Sequence, residues 1–323
     1  MGQVKKQMKK LEDVFTNDIK TCAIVGHLAP DGDAVGSTTA LYTYVKRNFP
    51  WIDVTLYIER PKESLMFLPG LSEAVFETPE DSETDLFVSC DVSSTDRFGV
   101  AGNLFPLAGK TLCIDHHISN PHFADINVVD AEASSCAEVL CDLMDPEKID
   151  LDIAVSLYTG IIHDSGVFQY SNTRGNTLRA AADLLERGVP ASRIIDESFN
   201  QRTMRQSQIL GKVLMESELC MDGKVIVGVV TLEDMLHYDV TKKDLDGIVA
   251  ELRLVKGVLA AVFIYETDPQ VFKVSLRSNN DLDVSRVASA FGGGGHVKAA
   301  GCTIPGQAVH VRELLLSELV KYI

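Results

Sequence analysis

The 323-residue chain has no CxxC pair, no apolar run long enough to cross a bilayer and no basic stripe of the kind that tracks long nucleic acid. Each lack narrows what it can do. A membrane span needs about 20 apolar residues in a row, and none is expected here. The seven cysteines (22, 90, 113, 136, 141, 220 and 302) show no regular spacing, and Cys22, Cys90 and Cys113 lie inside apolar strand patterns. They read as buried thiols of a reducing compartment, so a cytoplasmic location is expected. Net charge is −16 with no basic stripe to break it, which argues against a protein that tracks long duplex nucleic acid. A polyanion could approach only where metals or local Arg and Lys neutralise the acids, so small phosphorylated substrates stay open. The opening MGQVKKQMKKLEDVF is basic, lacks the apolar core of a secretory signal and has Lys6 where myristoylation needs Ser or Thr. It is expected to be an amphipathic helix. There is no internal repeat and no low-complexity tract. The length and the 46% hydrophobic content suggest two domains with real cores.

What the chain does have is a set of strands that end in metal-type ligands. The apolar run Cys22–Val25 reads as a buried parallel strand, and Gly26-His27-Leu28-Ala29-Pro30-Asp31-Gly32-Asp33 follows it. Pro30 fixes one backbone angle, and Gly32 lets the carboxylates of Asp31 and Asp33 point the same way. A helix opens at Ala34. An imidazole and two hard oxygen donors at the carboxyl end of a strand suit one or two divalent cations of the Mn, Fe, Co or Mg type. Pro, Asp and Gly are also ordinary turn formers, so the loop alone leaves both readings open. Two further strands tip the balance. Asp85–Cys90 ends in Asp91, and Thr111–Ile114 ends in Asp115-His116-His117. Trp51–Ile58 is another strand, and Ala74–Asp81 a short strand running into an acidic loop.

Helices are expected over Ser134–Met144, capped by Ser134 or Ser135, over Asp152–Asp164 and over Asn176–Arg187. The mostly helical stretch that begins at Ala191 reads as a connector. The expected division is therefore 1–190, a linker over 191–215, and 216–323. The second part opens with strands about an Asp222-Gly223 hairpin turn. A helical stretch, two more strands and a short helix lead to Gly292-Gly293-Gly294-Gly295-His296. Such glycines expose N–H groups to an anion, a following helix is expected to offer its N-terminus, and Arg277 could join them from a strand. A bare glycine run is equally a flexible turn. Phe168 and Tyr170 could stack on a base, although core packing suits at least one of them. Arg97 could reach a substrate phosphate or form a salt bridge. His122, His237 and His310 lie outside every pattern and are assigned to the surface or to local structure.

Taken in order, HLAPDGDAVGS, the strand ending in Asp91, Asp115-His116-His117 and His163-Asp164-Ser165-Gly166 resemble the four motifs of the DHH phosphoesterase superfamily. Ser275–Asn279 with GGGGHVKAAG resembles its DHH-associated C-terminal domain. At this length the pairing is most similar to the oligoribonuclease and pAp-phosphatase group, the nanoRNases, over roughly residues 15–320. The resemblance implies an α/β fold: an N-terminal parallel-sheet domain with helices on both faces, a helical linker and a smaller α/β C-terminal domain, with the active site in the cleft between them. It implies that His27 and Asp31 hold one cation and Asp33, His116 and Asp164 the other, with Asp91 bridging. Two cations about 3.5–4 Å apart need such a shared carboxylate, and metal-bound water needs no separate side-chain base. Asp115 is expected to orient a neighbouring imidazole, and His117 to face the scissile phosphate as donor or leaving-group acid. The cofactors implied are two divalent cations, Mn²⁺ ahead of Mg²⁺ or Co²⁺. Arg277, Ser278, Gly294, Gly295 and His296 are expected to hold the distal nucleotide. No family role passes to His163, which reads as a packing or supporting histidine.

The implied activity is release of mononucleotides from short oligoribonucleotides, pApA included, removal of the 3′-phosphate from pAp, or both. Long duplexes and membranes are not expected partners, and monomer against homodimer is left open. An inorganic pyrophosphatase of the same superfamily is the alternative enzyme reading. That group uses basic residues of its second domain, where this chain has a glycine-rich loop. A non-catalytic nucleotide-binding module would require a missing ligand, and none is missing.

Overall fold

A computed structural model describes residues 10–280 and 282–323. The expected opening helix lies outside the described residues except for its end, where Leu11–Asp13 forms a single 3₁₀ turn. The chain divides after Gln201 into two compact units. The stretch expected to link them is shared, with helix α5 (Ala191–Ile194) in the first unit and α6 (Met204–Glu216) in the second.

Five strands build the first unit: β1 (Thr21–Val25), β2 (Asp53–Tyr57), β3 (Leu86–Cys90), β4 (Thr111–Asp115) and β5 (Ile126–Val129). All pair in parallel, in the order β2-β1-β3-β4-β5. Apolar residues run continuously along β1 and β3 because both faces of the sheet are covered. Cys22, Ile24, Leu86 and Val88 face the large core under α1 (Gly32–Asn48), α2 (Cys136–Leu143), α3 (Leu151–Asp164) and α4 (Gly175–Glu186). Ala23, Val25 and Phe87 face the other way, into a small core closed by the 3₁₀ helix Gly102–Leu107. There Phe87, Phe98, Phe105 and Phe123 pack with ring centroids 5.0 to 5.9 Å apart. Glycines set how closely the helices approach. A Cβ on Gly36 of α1 would lie 2.6 Å from the Ser156 carbonyl oxygen of α3, and one on Gly160 would lie 2.6 Å from Ala137 Cβ.

Two local differences from the sequence reading have simple causes. The first helix opens at Gly32, ahead of Ala34, because Asp31 caps it, accepting from the N–H groups of Asp33 and Ala34 at 3.0 and 3.1 Å. The strand expected over 74–81 shrinks to one bridge between Val75 and Tyr57. Pro79 has no N–H to donate, and the acidic residues around it have no apolar face to bury.

The second unit is a six-stranded sheet in the order β10-β11-β9-β8-β7-β6. Its strands are β6 (Glu218–Cys220), β7 (Val225–Val230), β8 (Ala260–Asp268), β9 (Val271–Ser278), β10 (Gly294–His296) and β11 (Ala299–Pro305). Only β7 and β8 run parallel. Helices α9 (Val284–Ser289) and α10 (Ala308–Leu319) share one core with the sheet, while α6, α7 (Leu232–His237) and α8 (Ile248–Arg253) share another. The glycine run departs from expectation, because a hairpin of β10 and β11 follows it where a helix was expected. Gly295, at φ +144°, pairs with Ala300, and a Cβ there would lie 2.5 Å from the Ala299 carbonyl oxygen. No helix among the described residues is long and apolar enough to cross a membrane.

Candidate metal centre

The strand order explains where the ligands gather. β2 adds to one side of β1 and β3 to the other, and a crevice opens at the carboxyl ends where the order reverses. His27 and the cap Asp31 follow β1, Asp91 follows β3, and His116 and His117 follow β4. Asp33 sits in the first turn of α1, and Asp164 is the last residue of α3.

Asp91 is the centre of the cluster. It is 3% exposed, and its two oxygens face different histidines. Oδ2 lies 3.5 Å from His27 Nε2, while Oδ1 lies 3.5 Å from His116 Nε2 and 3.5 Å from His117 Nδ1. Oδ1 is buried with no hydrogen-bond partner among the described residues. The backbone is strained here, at φ +59° for a non-glycine residue, and this turn aims the carboxylate. On one side, His27 Nε2 stands 3.7 Å from Asp31 Oδ1. His27 Nδ1 is 2.7 Å from the Leu28 carbonyl, to which it donates, so Nε2 is the nitrogen turned to the carboxylates. On the other side, His116 Nε2 is 3.1 Å from Asp164 Oδ2 and 3.9 Å from Asp33 Oδ2. The donor atoms thus fall into overlapping groups that could each hold an ion: His27, Asp31 and Asp91; Asp33, His116 and Asp164; Asp91, His116 and His117.

Backbone donors prepare these side chains. Asp33 is wholly buried, and its two oxygens accept from Cys136 N–H at 2.6 Å and Ala137 N–H at 3.0 Å, in the first turn of α2. Asp115 is wholly buried as well. It accepts from His116 N–H at 2.8 Å, His117 Nδ1–H at 2.7 Å and Asn120 Nδ2–H at 2.6 Å, so both oxygens are engaged. It therefore orients His117, whose Nε2 is left to face outward. His163 is no part of the cluster. Its Nε2 bonds Ser198 Oγ at 3.1 Å, its ring meets Phe199, and a Cβ on Gly32 would lie 2.0 Å from its Cγ. Burial pushes its pKa down to about 4, so it is a neutral packing residue beneath the Asp31-Gly32-Asp33 turn.

The electrostatics call for cations. Burial alone would lower the histidine pKa values, yet Asp31 and Asp91 outweigh it and push His27 up to about 10. Asp164 and Asp91 do the same for His116, up to about 12. Burial, with Asp91 and Asp164 beside it, drives Asp33 well above the usual carboxylate range. Carboxylates packed this closely need protons or metal ions between them. Mixed imidazole and carboxylate donors around an unpartnered Asp91 Oδ1 fit divalent cations.

The other expected site residues are distributed as follows. Arg97 is exposed, and its carbonyl accepts the Leu28 N–H at 2.8 Å, which places it against the His27 loop. Phe168 packs on Tyr158, whereas Tyr170 is 49% exposed. In the second unit, His296 pairs with Ala299 and Ala299 with Arg277, so Arg277 and His296 share one face of the sheet with a single strand between them. Gly294 and Gly295 lie in the same edge strand. Ser278 points elsewhere. It is 4% exposed, and its hydroxyl donates to the Val297 carbonyl at 3.2 Å. Asn120, which donates to Asp115 Oδ2 at 2.6 Å, and Asn172, which donates to the Asp164 carbonyl at 3.0 Å, carried no sequence signal, since neutral groups of this kind leave no spacing pattern.

Comparison with known proteins gives the family. The DHH family, N-terminal domain, matches residues 21–161, and the DHHA1 domain matches residues 222–323. The bifunctional oligoribonuclease and PAP phosphatase NrnA of Thermus thermophilus is 32% identical over 289 residues, which is 88% of this chain and 84% of that one. The chain belongs to the DHH family. The Bacillus subtilis DHH relative of the same name is 27% identical over 283 residues, 86% of this chain and 87% of its own. The DHH fold also appears in an exopolyphosphatase-related protein from Bacteroides fragilis, with a TM-score of 0.87 at 24% identity over 95% of this chain and 94% of that one.

Proposed function

We propose that this DHH-family chain is a cytoplasmic phosphoesterase that holds two divalent cations, preferentially Mn²⁺. It hydrolyses short oligoribonucleotides, pApA included, to mononucleotides and removes the 3′-phosphate of pAp. The observation that carries this reading is Asp91, a buried carboxylate with one oxygen toward His27, the other toward His116, and no hydrogen bond to Oδ1. The names of the relatives, oligoribonuclease and PAP phosphatase, support the substrate class. The free state of all seven cysteines fits a reducing compartment.

In this reading His27 and Asp31 hold one cation, Asp33, His116 and Asp164 hold the other, and Asp91 serves both. Bound there, the cations would clamp phosphoryl oxygens and make water nucleophilic near neutral pH. The remaining chemistry belongs to side chains. Asp115 fixes the Nδ1–H of His117 and, through that hydrogen bond, raises its pKa. His117 Nε2–H is then the donor that protonates the leaving oxygen. Residues 1–190 supply the metal chemistry, 191–215 the connection, and 216–323 recognition. In that second domain Arg277 and His296, on one sheet face, take the distal nucleotide, with Gly294 and Gly295 leaving room beside them.

The test is a rate comparison on purified protein stripped with EDTA and reloaded with Mn²⁺, Mg²⁺ or Co²⁺. Substrates are pAp, pApA, a 5-mer, a 24-mer and pyrophosphate. Turnover of pAp and pApA, decline from 5-mer to 24-mer and near silence on pyrophosphate are expected, because a chain of net charge −16 has little to grip a long backbone. Full activity in excess EDTA would overturn the metal reading. Preference for pyrophosphate would overturn the substrate class.

A further inference from the structure

We propose that Glu138 is the positioning residue for one of the two cation places, the one formed by Asp33, His116 and Asp164. The inference rests on the metal reading above. Glu138 lies in α2 and is 5% exposed. A single oxygen, Oε2, accepts Ser134 N–H at 2.8 Å, Ser134 Oγ–H at 2.7 Å and Thr177 Oγ1–H at 2.8 Å. All three donors are neutral. Burying a carboxylate against neutral donors is costly, and apolar packing alone would not ask for it. What it achieves is a junction, since the start of α2 and the start of α4 meet on one atom.

Two lines lead from that junction to the ligands. Glu138 Oε2 holds Ser134 beside the cap Ser135, whose Oγ accepts the Glu138 backbone N–H at 3.0 Å and so fixes the first turn of α2. The Cys136 and Ala137 N–H groups of that turn hold both oxygens of Asp33. The Ser134 carbonyl accepts from Asn172 Nδ2 at 3.0 Å, and the same amide donates to the Asp164 carbonyl at 3.0 Å. Asp33 and Asp164 are thus both tied to Glu138. Asp31, the carboxylate of the other place, is 59% exposed in its side chain and is held by its own helix, through the N–H groups of Asp33 and Ala34. The two cation places therefore differ in how they are built.

Partners that orient metal ligands typically contribute about 10- to 100-fold in metal affinity. Because every bond to Glu138 ends on one oxygen, the amide oxygen of glutamine can take over all three, and alanine can take none. Mn²⁺ titration calorimetry, with Mn²⁺ electron paramagnetic resonance to count ions, is expected to give two bound ions for wild type. Glu138→Ala should keep one and bind the other about tenfold or more weakly, while Glu138→Gln should stay within about threefold of wild type at both. Two ions held normally by a folded Glu138→Ala would overturn the proposal. So would equal weakening of both ions, which marks general loosening, or a Glu138→Gln as impaired as alanine. If Glu138→Ala fails to fold, Asn172→Ala, which cuts the line to Asp164, is judged by the same selective loss. A wild type that binds fewer than two ions would instead remove the metal reading on which this rests.

Discussion

His117 and Asp115 divide one task, and the division can be measured. On the proposed reading, His117→Ala should lower kcat by roughly 10²–10⁴ while both cations stay bound, because its Nδ1 is committed to Asp115 and its Nε2 is left for the phosphate. Loss of metal in parallel with rate, seen in a titration, would make it a ligand. The hydrogen bond to Asp115 is the main reason the His117 pKa is raised. A proton donor works below its pKa, so kcat should fall as pH rises through that raised value. Asp115→Asn removes the charge, lets the pKa drop, and should move the alkaline limb of the kcat–pH profile to lower pH. An unmoved limb would separate Asp115 from the acid. At this scale the cluster was legible in the sequence, since His27, Asp31, Asp33, Asp91, His116 and Asp164 all stand at strand or helix ends in a recognisable order and their donor atoms come together. Glu138, Asn120 and Asn172 were not, because a side chain that bonds backbone looks like any polar residue in a helix or loop. Ser278 adjoins Arg277 in sequence, yet neighbours along a strand point to opposite faces.

Between α1 and α3 there is no spare volume. A Cβ on Gly36 would meet the Ser156 carbonyl oxygen at 2.6 Å and the Gly160 nitrogen at 2.7 Å, both backbone atoms that cannot step aside. Gly36→Ala should therefore destabilise the fold by about 1–3 kcal/mol through overpacking. It should also weaken Mn²⁺ binding, since Asp33 rides on α1 and Asp164 on α3. A urea midpoint and a metal affinity both equal to wild type would show that the helices can part freely. The strands were readable from their apolar runs, and α2 from its cap Ser135, whereas the cap Asp31 read as part of the loop and the first helix was placed two residues late. The glycine run was not readable. Glycine permits hairpin and helix entry alike, and what selected the hairpin is the pairing of Ala299–Pro305 with β9, residues distant in sequence. The segment at Val75 reaches the free edge of β2 yet stays a single bridge, because Pro79 and the acidic residues around it cannot extend the pairing.

For the molecule as a whole, chemistry and recognition are expected to separate. Arg277→Ala should raise KM for pAp and pApA about tenfold or more, the loss of a charge-assisted contact that alanine cannot replace, while leaving kcat on bis-p-nitrophenyl phosphate nearly unchanged. Equal losses on both substrates would tie Arg277 to the metals or to folding. The order of the units along the chain has a consequence for synthesis. All the candidate cation ligands fall between His27 and Asp164, in a unit that closes its own core by Gln201. Domains fold as units while the chain is being made, and at about 5–20 residues per second the roughly 95 residues from Gln201 to His296 need about 5–19 s. On the proposed reading, a chain still on the ribosome during that interval would already hold every residue of the metal centre, before Arg277 and His296 have been translated. A nascent chain stalled between the two units should cleave a small activated ester and remain indifferent to nucleotides.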